Sequence, residues 1–119
     1  MAKTIYEMMT NEVVNGLEDI GYKQDFIELF KEESIEEFIE HNRVRPWNFA
    51  EYDDFFAVGY RDSLVFKVEK ESLVISDFVY VYEINTMISL PEYIIIEGHE
   101  KIKVVNTKDF SIVKSVNTR

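Results

Sequence analysis

Apolar positions recur with helical spacing through the first 42 residues and with strand spacing from residue 55 onward. Ile5, Met9, Val13, Leu17 and Ile20 fall every three or four positions. That lays them along one stripe of a helix, and Gly21 follows as a stop signal. A second apolar group, Phe26, Ile27, Leu29 and Phe30, is followed by a third, Ile35, Phe38 and Ile39. At about 100° per residue these two groups point roughly 150° apart, so one straight helix would bury opposite sides at its two ends. Ser34 and Glu37 have the spacing of a capping box, in which hydroxyl and carboxylate satisfy the free amides of a new helix. The pattern predicts two short helices, about 24–32 and 35–42, broken near Glu33 and Ser34.

Pro46 disfavours helix at Arg45, while Asn48 with Glu51 offers a cap for one further turn, a loop being the alternative. From Phe55 the chain turns to β-branched and aromatic runs with short polar punctuation. "DFFAVGY" and "LVFKVEK" flank "RDS", which predicts a hairpin. In it Leu64, Phe66 and Val68 alternate with Val65, Lys67 and Glu69, giving one buried face and one partly wet. "SLVISDFVYVYEI" reads as one bent strand or two short ones. "YIIIEG", "KIKVVN" and "FSIVKSV" follow, with turns at "GHE" and "TKD". "FVYVY" and "YIII" are apolar on both faces, as central strands are. Helices followed by hairpin-connected strands predict an α+β fold. The expected form is N-terminal helices packed on one face of a mostly antiparallel five- to six-stranded sheet. Residues 1–119 would make a single domain, with a helical part at 1–42 and a β-sheet part at 55–119.

Charge changes this picture most. The chain has 23 acidic and 13 basic residues, a net charge of −10, and the excess is segregated. Residues 1–54 carry 14 Asp and Glu against 5 Lys and Arg, whereas residues 55–119 carry 9 against 8. Such a field disfavours direct binding to nucleic acid and favours a basic protein partner. The bland reading is that acidity keeps a small protein soluble. With no cysteine, the chain lacks disulfides, thiolate nucleophiles and Cys-type zinc sites. "MAKTIYEMMTNE" has no apolar run of signal-peptide length, and no segment reaches the roughly 18 apolar residues of a membrane span. A cytoplasmic protein is therefore expected, in the host cytoplasm if phage-encoded.

Motifs for catalysis are sparse. His41 and His99 lie far apart and outside any H-E-x-x-H pattern, and no phosphate-cradling glycine loop, nucleophile elbow or EF-hand spacing occurs. His41 suits the last turn of a helix and His99 the turn "EGHEK", so structural or exposed roles are expected of both. The best carboxylate group is Glu51, Asp53 and Asp54 in "EYDDFF", with Asp62 across the hairpin; its plain reading is a polar lead-in to a strand. "RVRPW" is the one basic–aromatic cluster, with Trp47 expected to pin the helix-to-sheet connection. Phe78, Tyr80 and Tyr82 alternate onto one strand face, where core packing is the default for an aromatic stripe and recognition the alternative. No catalytic residue, metal or cofactor is expected.

The sharper functional expectation rests on the acidic run. Glu28, Glu32, Glu36 and Glu40 are spaced by four, so on one helix they would rise about 6 Å apart, the scale of successive charges on a nucleic-acid backbone. A break at Ser34 would divide that row and still leave a negative surface. In its "DFIELFKEESIEEFIE" run and "EYDD" cluster, the N-terminal half resembles small inhibitors from phages and mobile elements, including anti-CRISPR and anti-restriction proteins. The resemblance lies in charge pattern and size. It implies a non-enzymatic protein that inhibits a nucleic-acid-handling enzyme, such as a CRISPR nuclease, by presenting a DNA-like negative surface. The expected partner-binding residues are Glu28, Glu32, Glu33, Glu36, Glu37, Glu40, Glu51, Asp53 and Asp54. The same electrostatics suit an immunity protein or antitoxin against a basic toxin. A phage structural or assembly protein, or an enzyme using Glu51, Asp53, Asp54 and Asp62, is the remaining reading. Oligomeric state is open, with edge strands or an exposed sheet face as routes to a dimer.

Overall fold

The structure, a computed structural model, describes residues 3–44, 48–61 and 63–118. The expectations for Arg45, Pro46, Trp47 and Asp62 lie outside these residues.

Thr10 divides the N-terminal apolar stripe in two. Its backbone is extended and its hydroxyl accepts the Val13 N–H at 3.3 Å, which starts helix α1 (Asn11–Asp19) there. Before it lies only a 3-10 turn, Tyr6–Met8. Thr4 and Glu7 cap that turn reciprocally: the Thr4 N–H donates to the Glu7 carboxylate (3.0 Å) and the Glu7 N–H to the Thr4 hydroxyl (3.1 Å). Between the two, Met9 forms a β-bridge with Ile75, and the Thr10 N–H donates to the Ile75 carbonyl (3.1 Å). The expectation of one helical stripe from Ile5 to Ile20 is thus corrected. A long-range backbone pairing takes Met9 and Thr10 out of helix, and Ile20 ends 47% exposed.

The break at Ser34 is present. Helices α2 (Gln24–Phe30) and α3 (Ile35–Val44) flank it, and the Ser34 hydroxyl accepts the Glu37 N–H at 3.4 Å. The connection is pinned from outside, by Ile5 N–H to the Glu33 carbonyl and Ile35 N–H to the Lys3 carbonyl, both 2.9 Å.

The strands form two antiparallel four-stranded sheets, so the α+β class holds and the single five- to six-stranded sheet does not. Sheet 1 runs β1 (Phe49–Glu51), β2 (Phe55–Tyr60), β3 (Leu64–Glu69), β4 (Ile75–Tyr80). Sheet 2 runs β5 (Thr86–Ser89), β6 (Tyr93–Glu97), β7 (Lys101–Asn106), β8 (Ile112–Asn117). The chain leaves sheet 1 at Val81–Asn85, where Glu83 has a positive φ of 49°. Two strands had weak signals: β1 sits where a capped turn or loop was expected, and β5 is short and largely exposed.

Layering explains the burial pattern. Phe56, Val58, Tyr60, Leu64, Phe66, Val68 and Ile75 turn one face of sheet 1 to the helices, against Val13, Leu17, Ile27, Phe30, Phe38 and Ile39. The opposite face, through Ala50, Phe55, Ala57, Val65 and Val79, packs on Ile94, Ile96 and Val105 of sheet 2. Sheet 1 is therefore covered on both sides, and every residue of β2 is buried. This corrects the reading of "FVYVY" as a central strand. β4 is an edge strand, apolar on both faces because it lies between two layers. "YIII" does lie in a central strand, β6. Among the described residues no helix is long and apolar enough to cross a membrane.

Candidate functional site

The acidic residues of α2 and α3 face away from the core because their apolar neighbours take the inward positions. Ile27 and Phe30 on α2, and Ile35, Phe38 and Ile39 on α3, are buried. Glu28, Glu32, Glu36, Glu37 and Glu40 are left exposed. The even row of four does not exist on one helix: Glu28 lies on α2, Glu32 in the connection, and Glu36 and Glu40 on α3. Glu36 and Glu37 occupy the first turn of α3, where the helix dipole favours negative charge.

Local partners divide these carboxylates. Glu28 accepts from the Gln24 amide (3.0 Å) and from Lys31 Nζ (3.2 Å); these contacts hold its pKa below the ordinary value, the Gln24 bond first. Glu40 lies 3.8 Å from Arg43, an exposed pair of small energetic weight. Glu33 is half-buried and accepts from the Tyr60 hydroxyl at 3.2 Å, so it ties the α2–α3 connection to sheet 1. Glu32, Glu36 and Glu37 have no ion pair among the described residues.

The second acidic group lies at the β1–β2 turn. Glu51 pairs with Lys70 at 2.6 Å, and that hydrogen bond lowers its pKa, with smaller help from the charges of Lys70 and Arg43. Lys70 Nζ also donates to the Tyr52 carbonyl (3.1 Å), which fixes the ammonium against the turn. Asp53 and Asp54 are exposed and open onto a cleft of about 480 Å³, shared with Glu69, Lys70 and Glu71. Arg43 and Lys70 both sit over the Phe56 ring, at 5.3 and 5.6 Å. Two cations thus mark the junction between the helical glutamates and the β1–β2 turn. Among the described residues no three acidic or histidine side chains are grouped to hold a metal ion. Glu51, the first member of the carboxylate group Glu51, Asp53 and Asp54, is engaged by Lys70.

The histidines stand apart. His41 is exposed in the last turn of α3. His99, in the β6–β7 turn, has Nδ1 3.8 Å from Glu83 and packs edge-on to Tyr82. A cleft of about 340 Å³ near this turn is lined by Tyr22, Phe26, Tyr80, Tyr82 and Glu83, and Arg61 lies 4.9 Å over the Phe26 ring. Periodicity did not point to it, because Tyr22 comes from the α1–α2 connection, Phe26 from α2, Tyr80 from the end of β4 and Tyr82 from the connection after it. Tyr82 is 56% exposed, so the aromatic stripe it was placed in leaves the core after Tyr80. No protein-family model and no curated protein sequence matches the chain.

Proposed function

We propose that this protein is a non-enzymatic acidic binding module that occupies the basic, nucleic-acid-binding surface of an enzyme, such as a nuclease, and excludes its substrate. One observation carries the reading: the helical layer concentrates exposed carboxylates, Glu32, Glu36 and Glu37 among them, that no neighbouring cation neutralises among the described residues. Between Gln24 and Val44 there are seven carboxylates against two cations, on α2, α3 and the connection between them, and the apolar sides of both helices are held by a packed core. A fixed negative surface of this kind meets a cationic groove without reorganising, and it attracts it over a Debye length of about 10 Å. Glu28, Glu40 and Glu51 contribute less, since Lys31, Arg43 and Lys70 offset them. Asp53 and Asp54 extend the surface to the sheet. A basic toxin is the second partner class that the same surface fits.

The test is charge reversal at Glu32, Glu36, Glu37 and Glu40 to lysine, with inhibition assayed across a panel of nucleases and basic toxin domains. Inhibition by the native protein should weaken at least tenfold between about 50 and 200 mM salt, and the quadruple variant should lose it while keeping its circular dichroism and a cooperative thermal unfolding transition. Full inhibition by the variant would remove the helical glutamates from the interface.

A further inference from the structure

Among the described residues, sheet 2 is covered on one face only. Its inner face turns Ile94, Ile96 and Val105 onto sheet 1, all with no exposure. By register, the outer face carries Ile88, Ile95 and Val104 in one cross-strand row, and Ile102 beside Val116 in the next. Tyr93 borders the first row. Ile88 is 49% exposed, and Tyr93 and Val116 are each 40% exposed. Glu97, Lys114, Thr86 and Asn106 complete the face as a sparse polar rim. Half-exposed apolar residues occur singly on any surface; here Ile88, Tyr93 and Val116 adjoin the half-buried Ile95, Ile102 and Val104 in one group across four strands, which makes the face a candidate interface.

Charge identifies what covers it. From Thr86 to Thr118 four carboxylates balance four lysines, within a chain of net charge −10. The helices lie beyond sheet 1, on the side away from this face. Two copies meeting through sheet 2 therefore bring their neutral ends together and hold their acidic helices at the two far ends, where repulsion is screened. A highly charged partner would gain nothing from this face. A second copy is matched to it in charge and in shape, since aligned packing of two similar twisted sheets is a standard solution.

We propose that the outer face of sheet 2 is a self-association surface, forming a two-fold dimer in which Ile88, Ile95, Ile102, Val104 and Val116 of each copy are buried. Four strands about 4.8 Å apart and five residues long span roughly 300 Å². A standard interface buries about 800 Å² on each partner, so the dimer belongs to the weak, reversible class, with Kd on the order of 10–100 μM. The acidic surface takes no part in it, and the inference stands independently of the function proposed above.

Sedimentation equilibrium from about 5 μM to 1 mM should show a monomer–dimer transition that persists in about 0.5 M salt. Amide shifts on dilution should be confined to β5–β8 and absent from α2 and α3. The double substitution Ile88→Lys with Val116→Lys should abolish the dimer. The double variant also places like charge on the two facing sheets, so the uncharged Ile88→Thr variant separates lost apolar burial from repulsion. Ile88→Thr, which keeps β-branching, should weaken association several-fold, and Val44→Lys on the helical layer should leave it unchanged. A monomer throughout the range overturns the proposal. So does a dimer that dissolves in salt, or one that survives the double substitution.

Discussion

Asp77 shows how a single side chain can work against the layer it sits in. It lies on β4 opposite Lys67, on the face of sheet 1 that meets sheet 2, and burial raises its carboxyl above the ordinary value of 3.8. The Phe78 N–H, at 2.7 Å, and Lys67 oppose that rise, while Asp109 adds to it. A carboxyl that holds its proton to higher pH in the native state than in the unfolded chain binds more protons when folded. Stability is then greatest at low pH, falls as pH rises from about the ordinary value through the raised one, and stays reduced above it. Asp77→Asn keeps the acceptor for Phe78 and removes the buried charge. Its melting point should exceed that of the native protein at neutral pH, and the difference should vanish below pH 3.8. A lower melting point at pH 7 would mean that Lys67 outweighs the burial. In the aromatic cluster the balance is plainer: Phe66 is fully buried and meets Phe30, Phe38 and Tyr60 at 5.8, 6.3 and 6.1 Å between ring centres. Phe66→Ala should cost about 3–5 kcal/mol in denaturant unfolding.

Elements were legible where local rules act alone. The α2–α3 break follows from two apolar groups that cannot share a helix side, reinforced by Ser34 at the new N-terminus. The N-terminal stripe was not legible, because Thr10 is captured by Ile75, a residue far along the chain. The pairing Glu51–Lys70 was hidden for the same reason, since a hairpin brings the two together. Outward exposure of the helical glutamates could be read from helix phase; which of them keep a free charge could not. The division into two sheets had a faint signature in the Val81–Asn85 connection. Downstream, Gly98 permits the close approach of the β6 end to that connection: a β-carbon there would lie 2.6 Å from the Tyr82 carbonyl oxygen and collide with Val81. That oxygen is backbone and accepts the His99 N–H at 3.1 Å, so it has little room to yield. Gly98→Ala should destabilise the protein by about 1–3 kcal/mol, with hydrogen exchange faster in β6 and β7.

At the scale of the whole molecule, three layers give three surroundings: a charged helical face, a sheet buried on both sides, and a neutral sheet open on one. The two proposed surfaces lie at opposite ends and respond to salt differently, one through screened attraction and the other through apolar burial. The variant Ile88→Lys with Val116→Lys should therefore leave the affinity for a basic partner within about twofold at matched salt, measured by calorimetry. The strand order has a consequence of another kind. Among the described residues each named strand pairs only with the strand just before or after it in the chain, so within the sheets no neighbouring strand is distant in sequence. The helical core needs no strand beyond β4. As a ribosome delivers the chain at about 5–20 residues per second, sheet 1 has all its strand-pairing partners, and the helical core all its residues, before sheet 2 is made. Synthesis order and assembly order coincide, and the last sheet to emerge docks on a layer already in place.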